Sequence, residues 1–264
     1  MEIKFKDVEY NDFHDLNFTI SNSDITGIFG RGKTQLLRLI DAIDIATGKI
    51  TYDDIELNKN NLNEIRRKIS IVEQEFQKQL FLNTVKEHME FIIKYYKLTI
   101  KDPNKKILDS LKIVGLSNDY LEKNITSLSN SELKLIQLAI SLLSNPDIIL
   151  LDEPFINLDT KNEKKILVLL NKLKDHYKKT IVIASHDSNM LYKYTSKIII
   201  IKNNKILIEG KTKEVYEKVA YLIRNKIEIP DIVMFTYKAK HDKNIHIDYH
   251  RDIRDLIKDI YKHV

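Results

Sequence analysis

The chain has no cysteine among its 264 residues. Disulfides, thiolate metal sites and a cysteine nucleophile are therefore excluded, and the usage fits a reducing compartment. Glycine occurs only six times and proline four, so each glycine marks a backbone requirement more pointedly than in an average chain. Long apolar runs are missing as well. Runs such as "IVIA" (181–184) and "IIII" (198–201) fall far short of the roughly 20 apolar residues that cross a bilayer. The opening "MEIKFKDVEY" alternates and carries charge, unlike a signal peptide or a spanning helix. Any membrane role is expected to come through a partner. Charge of one sign is only mildly in excess: the net charge is +5 with 31% charged residues. It is spread along the chain, which reads as a lysine-rich solvated surface rather than a nucleic-acid footprint.

What is present suffices for a core. Hydrophobic residues make up 43%, and the length allows one large domain or one domain with a small appendage. Residues 2–10 and 16–20 read as a hairpin, "ITGIFG" (25–30) as a buried strand, and 33–44 as a helix. Residues 49–57 read as a further hairpin arm after a turn at Gly48, and 66–74 as the end of a strand. From 84 to about 144 the spacing is helical throughout. "DIILLDEP", a helix over 160–177, "TIVIAS" and "KIIIIKNNKILIEG" follow, and "TKEVYEKVAYLIRNK" reads as one more helix. Strands alternating with helices predict an α/β domain, a mostly parallel sheet covered on both faces. The helical stretch (about 75–145) forms a subdomain within residues 1–224. Residues 225–264 form a C-terminal extension, polar and turn-rich over "HDKNIHIDYHRD". Its last helix carries Ile253, Leu256, Ile257, Ile260 and Val264 on one stripe, a packing or dimer surface. His241, His246 and His250 cluster there without acids at clear ligand spacing, so no metal site is expected on them.

Three motifs carry chemistry. Gly27 to Thr34 satisfies GxxxxGK[ST] literally. Such a loop wraps backbone N–H groups around phosphates, with its lysine on the terminal phosphates and its hydroxyl on Mg²⁺. A helix N-terminus adds partial positive charge there. Gly27, Gly30, Arg31, Gly32, Lys33, Thr34 and Gln35 are the candidate phosphate-binding residues. The second motif, "IILLDEP", ends a buried run in two acids, which is costly unless they meet a cation or water. Asp152 would hold Mg²⁺ through water and Glu153 would polarise the attacking water. The third is Ser129-Asn130-Ser131-Glu132 opening a helix, with Ser129 or Asn130 as N-cap.

In this order the motifs resemble those of ATP-binding-cassette ATPases, with the P-loop NTPase fold, an antiparallel β subdomain and a helical subdomain. "LSNSE" resembles the signature "LSGGQ", which closes over ATP bound to the opposite subunit. The resemblance makes Gln74 the Q-loop glutamine that senses Mg²⁺ and the attacking water. Asp159 in "NLD" becomes the D-loop aspartate, and His186 the switch histidine at the terminal phosphate. Tyr10 is the candidate aromatic for adenine, with Phe13 as rival. "VEQEFQKQLFLNTVKEHMEF" (72–91) resembles VFQxPxxQLFxxTVxxDIxF of energy-coupling-factor transporter ATPases, the group of the cobalt-transporter ATPase. Gln79-Leu80-Phe81 and Thr84-Val85 are in register, while Glu73 and Phe76 depart. "IEIPDIVMFTYKAK" resembles the C-terminal extension through which such ATPases pair.

The resemblance implies ATP and Mg²⁺ as ligands and a second cassette ATPase as partner. It also implies a transmembrane coupling subunit and a substrate-binding membrane subunit, with the chain at the cytoplasmic face of the membrane. No nucleic-acid partner is implied. Thr34, Gln74 and Asp152 would serve Mg²⁺, and Glu153, Gln74 and His186 would act in hydrolysis. Against a family segment such as "ITGIIGPNGSGKTTLL", the loop here is about three residues short. The sequence leaves two backbone routes: the strand ends early and feeds its last turn into the loop, or the strand is whole and the loop truncated. Both signature glycines are replaced. Three readings follow: an active or slow transporter ATPase, a non-hydrolysing partner in a heterodimer, or a soluble cassette acting on nucleic acid or ribosomes.

Overall fold

The computed structural model describes residues 1–43, 46–74, 81–243, 245 and 247–263, the side chains of 262 and 263 excepted. Phe76, Gln79, Leu80, His246 and Val264 of the sequence reading lie outside the described residues. β1 (Ile3–Tyr10) and β2 (Phe13–Ile20) form the expected hairpin, β2 starting three residues before the predicted 16. β4 (Thr47–Tyr52) and β5 (Ile55–Glu56) complete a four-stranded antiparallel sheet of order β2-β1-β4-β5. Alternation places Ile3, Phe5, Leu16 and Phe18 inward, and Phe5 stacks on Phe18 with ring centroids 4.2 Å apart. The single arm expected over 49–57 is instead two strands, parted at Asp53 and Asp54, both at positive φ. Gly48 sits inside β4 rather than in a turn before it, because only glycine fits there: at φ +90 a Cβ would lie 2.2 Å from the Asp7 carbonyl oxygen.

The second sheet combines β3 (Ile25–Gly30), β6 (Ile69–Val72), β7 (Ile148–Asp152), β8 (Thr180–Ala184), β9 (Lys197–Lys202) and β10 (Lys205–Lys211). Its order is β10-β9-β3-β8-β7-β6, and every pair is parallel except β9 with β10. β7 and β8 are buried along their whole length, as strands covered on both faces must be. β6 is shorter than 66–74 because Arg66 ends a helix of its own, α2 (Leu62–Arg66).

One face of this sheet packs α1 (Lys33–Ile40) and the antiparallel sheet around Ile28, Leu36, Leu150 and Val182. α1 stops four residues before the predicted 44, and its end is held by β4: the buried Tyr52 hydroxyl donates to the Ile40 carbonyl at 2.8 Å. The helical stretch resolves into α3 (Val85–Tyr95), α4 (Pro103–Ile113) and α5 (Asn130–Ser141), with 3₁₀ turns at Asn118–Glu122 and Ile125–Ser127. Its starts are written locally. Thr84 with Glu87 and Ser129 with Glu132 are capping boxes, and Asp102 caps α4 ahead of Pro103. α5, α6 (Thr160–Asp175) and α7 (Ser188–Tyr194) pack on the other face, over Phe29, Ile149, Leu151 and Ile183.

Beyond β10, the single helix expected over "TKEVYEKVAYLIRNK" is split at Glu217-Lys218 into α8 (Thr212–Tyr216) and α9 (Val219–Arg224). α10 (Asp231–Lys243) was not anticipated, since its buried residues Val233, Thr236 and Ala239 are too few and mixed for a clear stripe. α11 (Ile253–His263) carries the stripe, but only in part inward. Leu256 packs with Ala239 and Ile247 in a small separate core, whereas Ile253 and Ile257 are exposed.

Two outcomes test this packing. Gly30 closes the β3–β9 ladder opposite Ile201 at φ +115, and a Cβ there would stand 2.2 Å from the Ile201 carbonyl oxygen. Gly30→Ala is expected to cost about 2–3 kcal/mol and lower Tm by about 4–10 °C in a calorimetric scan. Asp41, buried after α1, has its carboxyl pushed by burial up to about 7. A carboxyl raised in the folded state contributes stability that is complete below its unfolded pKa and is lost as pH rises through the folded one. Asp41→Asn is therefore expected to unfold at a higher temperature than the parent at about pH 8.5 and at the same temperature near pH 3. The gain is bounded at roughly 4 kcal/mol.

Candidate functional site

Strand register assembles the site. Across the sheet Ile28 pairs with Ala184, and Ala184 with Asp152, so β8 and β7 end level with Ile28, two residues before the end of β3. Two backbone bonds continue the ladder beyond the strands: Ser185 N–H donates to the Ile28 carbonyl at 3.1 Å and Glu153 N–H to the Ala184 carbonyl at 2.9 Å. The carboxyl ends of parallel strands are where α/β sheets bind ligands.

Only Arg31 and Gly32 separate the end of β3 from Lys33, the first residue of α1. Of the two backbone routes the chain takes the one that keeps the strand whole. Gly27 is thus a correction: it lies in the body of β3, paired with Ile183 and Ile198, and not in the loop. A Cβ there would press on Leu191 and Thr195 at 3.1 Å. Gly32 is the N-cap of α1 at φ +94 and makes no side-chain cap, which leaves the first-turn amides of Lys33, Thr34 and Gln35 available to an anion. A Cβ on Gly32 would stand 2.6 Å from the Phe13 ring. Phe13 is fully buried beneath the loop, so the rival for adenine stacking has no exposed face. Tyr10 is half-buried across the hairpin turn from it.

Thr34 Oγ1 donates to Asp152 Oδ2 at 2.7 Å, while Asp152 Oδ1 is buried without a hydrogen-bond partner among the described residues. Burial raises the Asp152 carboxyl above its ordinary range. Glu153 follows at φ +48, a left-handed backbone. Its Oε1 takes the Lys33 ammonium at 3.2 Å, the His186 N–H at 2.9 Å and His186 Nδ1 at 2.8 Å. Its Oε2 accepts from the Ser185 hydroxyl at 2.9 Å. An ionised carboxylate only accepts, so Nδ1 is the protonated nitrogen of His186 here. The structure therefore gathers Lys33, Thr34, Asp152, Glu153 and His186.

Sequence reasoning missed two contributors. Ser185 was passed over as part of a strand end. Lys134, on the buried side of α5, has an ammonium with no hydrogen-bond partner among the described residues, and burial lowers its pKa against the raising influence of Asp152 and Glu153. A lysine among Leu133, Ile136 and Leu138 was the available signal.

The remaining candidates stand apart. Gln74 is exposed just beyond β6, on the strand beside β7. The helix-opening set faces its own subdomain. Ser129 and Glu132 bond each other, and Glu132 takes the Tyr120 hydroxyl at 2.6 Å and Lys123 at 3.3 Å. The Tyr120 bond leads in bringing the Glu132 carboxyl down to about 2. Asn130 is exposed and Ser131 half-buried at the same helix start. Asp159 caps α6, accepting from Asn162 N–H at 2.7 Å. His241 lies against Tyr237, and His250 pairs with Asp259 at 3.0 Å. A groove of about 510 Å³ opens between the β6 edge and the helices, with Asp41, Arg66, Glu73, Ile92, Tyr96 and Gln137 in its wall.

Comparison with known proteins points to one family. A model of the ABC transporter family matches residues 13–156, more than half of the chain. The energy-coupling factor transporter ATP-binding protein EcfA2 of Staphylococcus aureus is 29% identical over 90% of this chain and 86% of its own length. EcfA3 of Oenococcus oeni is 29% identical over 99% and 97%. Among solved structures, cbiO1 of Clostridium perfringens, part of the transporter complex cbiONQ, superposes with a TM-score of 0.75 at 25% identity, covering 89% of this chain and 98% of that one. The ATP-binding cassette MJ0796, solved as a dimer with ADP and Pi, gives a TM-score of 0.68 at 30% identity, covering 80% and 98%. Matched by that family model over more than half of its length, the chain belongs to the ABC transporter family of ATPases.

Proposed function

We propose that the chain is the ATP-binding subunit of an energy-coupling-factor transporter, coupling ATP binding and hydrolysis to uptake of a vitamin or metal ion through membrane partners. The observation that carries this reading is the convergence of Lys33, Thr34, Asp152, Glu153 and His186 at the carboxyl ends of β3, β7 and β8. The near full-length likeness to proteins of that name supports it.

The donor set fits the ligands. The uncapped start of α1 and the Lys33 ammonium suit the β- and γ-phosphates, and Arg31 adds charge beside them. Mg²⁺ fits Thr34 and Asp152, whose buried Oδ1 has no partner among the described residues and suits a hydrated cation; Gln74 would have to reach in from beyond β6 to join them. When bound, Mg²⁺ supplies positive charge against the phosphate oxygens. Glu153 orients or deprotonates the attacking water, and His186 completes that geometry. Tyr10 would lie under adenine. Lys33 is engaged by Glu153, so drawing its ammonium onto a phosphate would release the base.

Two features support a slow cassette. The loop holds only Arg31 and Gly32, which offers few amides to encircle a phosphate. Ser129 and Glu132 are closed on each other, where Ser129, Asn130 and Ser131 would face the ATP of a partner ATPase. The same features support the second reading, a non-hydrolysing member of a heterodimer.

No helix among the described residues is long and apolar enough to cross a membrane, so the membrane subunits would be separate chains, met at the cytoplasmic face. The groove wall and the exposed aromatics of α3, Tyr95 and Tyr96 with the nearby Phe81, would receive the coupling subunit. Exposed Ile253, Ile257 and Tyr261 of α11 would pair the extensions of two ATPases.

Titration of Mg-ATP into the chain by calorimetry, alone and with a co-purified partner ATPase, is expected to give saturable heat. No heat at millimolar ATP would overturn the ATP-binding reading. In the assembled complex, Glu153→Gln is expected to cut ATP turnover by about 10²-fold or more while leaving ATP bound. Equal turnover would remove Glu153 from the base role and favour the non-hydrolysing reading.

A further inference from the structure

α7 begins two residues after His186, and its first two residues are tied to the segment that leads into α10. Fully buried Ser188 donates its hydroxyl to Glu228 Oε1 at 2.8 Å. Asn189 and Asp231 form a reciprocal pair. Asn189 Nδ2 donates to Asp231 Oδ2 at 3.1 Å, and Asp231 N–H donates to Asn189 Oδ1 at 2.7 Å. Two antiparallel bonds fix rotation as well as distance, which one bond does not.

The same turn is bonded to the site on its other side. Asp187 caps α7 by accepting from Met190 N–H at 3.0 Å, and its own N–H donates to Ser185 Oγ at 3.2 Å. Ser185 and His186 in turn hold Glu153. A run of hydrogen bonds thus leads from Glu228 and Asp231 to the Glu153 carboxylate. The helix does not need them as caps, because Asp187 already serves there. The far end is anchored, since Ile229 and Val233 on either side of the tie are buried in the main core. The phosphate loop is held elsewhere, over Phe13 and against Ile201.

We propose that Glu228 and Asp231 are positioning residues for the switch segment: by fixing the first turn of α7 they hold His186 against Glu153, so that the C-terminal extension sets the rate of ATP turnover rather than the capture of ATP. This rests on the hydrolytic reading given above. It assigns the extension a task inside its own subunit, separate from any pairing of two ATPases.

The experiment uses the full chain in its assembled complex. Glu228→Ala and Asp231→Ala are each expected to lower kcat about tenfold with KM for ATP within about twofold of the parent. Glu228→Gln, whose amide oxygen still accepts from Ser188, is expected to recover most of that loss. Combined with His186→Ala, Glu228→Ala is expected to add no further loss, as for groups acting through one another. Unchanged kcat, a change confined to KM, a Glu228→Gln variant as slow as Glu228→Ala, or full additivity with His186→Ala would each overturn the proposal. Hydrogen exchange of the ATP-free chain judges the brace without turnover. Exchange over 185–191 is expected to quicken in Glu228→Ala while 160–175 keeps its protection, and unchanged exchange would overturn the brace. A parent complex that hydrolyses no ATP would sink the hydrolytic reading, and with it the rate-setting role.

Discussion

The parallel pairing of β3, β8 and β7 is the constraint on which the rest of the site depends. Residues from three distant parts of the chain reach one level because Ile28, Ala184 and Asp152 lie side by side in the ladder. The bonds from Ser185 to Ile28 and from Glu153 to Ala184 carry that alignment into the turns. A one-residue slip of β7 against β8 would turn Asp152 to the opposite face, since side chains alternate along a strand. The apolar runs of β7 and β8 resist such a slip only weakly, being buried on both faces. The register is set by the packing of α1, whose Leu36 and Leu37 fit one face while Thr34 meets Asp152.

That alignment concentrates charge that water would otherwise solvate. Glu153 is only 4% exposed, and an ionised carboxylate so placed is costly unless donors surround it. Lys33, Ser185 and His186 supply them. Its left-handed backbone adds strain at the same residue, a common mark of functional turns. Asp152 is different: one oxygen is satisfied by Thr34 and the other by nothing among the described residues. The two neighbouring acids are therefore prepared unequally, one saturated and one open.

Much of the fold was legible because it is written in short-range patterns. Buried runs marked β3, β7 and β8, the N-cap candidate Ser129 marked the start of α5, and the motif order carried the family. The errors came where local pattern competes with tertiary context. Gly48 looked like a turn signal, but close approach to Asp7 puts it inside a strand. Gly27 fitted a spacing rule, but β9 and β8 hold it in the sheet on both sides. α10 escaped notice because its buried side is made partly of Thr236 and Ala239. Within the site, Lys33, Thr34, Asp152, Glu153 and His186 were readable from motifs. Ser185, Lys134 and the tie from Glu228 to Ser188 were not, since each gains meaning only from a partner far away in the chain.

Phe13 under Gly32 carries a consequence for how such a sequence can change. The ring fills the space that a side chain at residue 32 would need, so positions 13 and 32 are not independent sites for mutation. Replacement of Gly32 has to wait for a smaller residue at 13, and even then meets the backbone strain of φ +94. That first step opens a void in the antiparallel sheet's core at a cost of its own. The order of the two changes is thereby restricted, and a hairpin residue remote in sequence acts as the gatekeeper for variation in the phosphate loop.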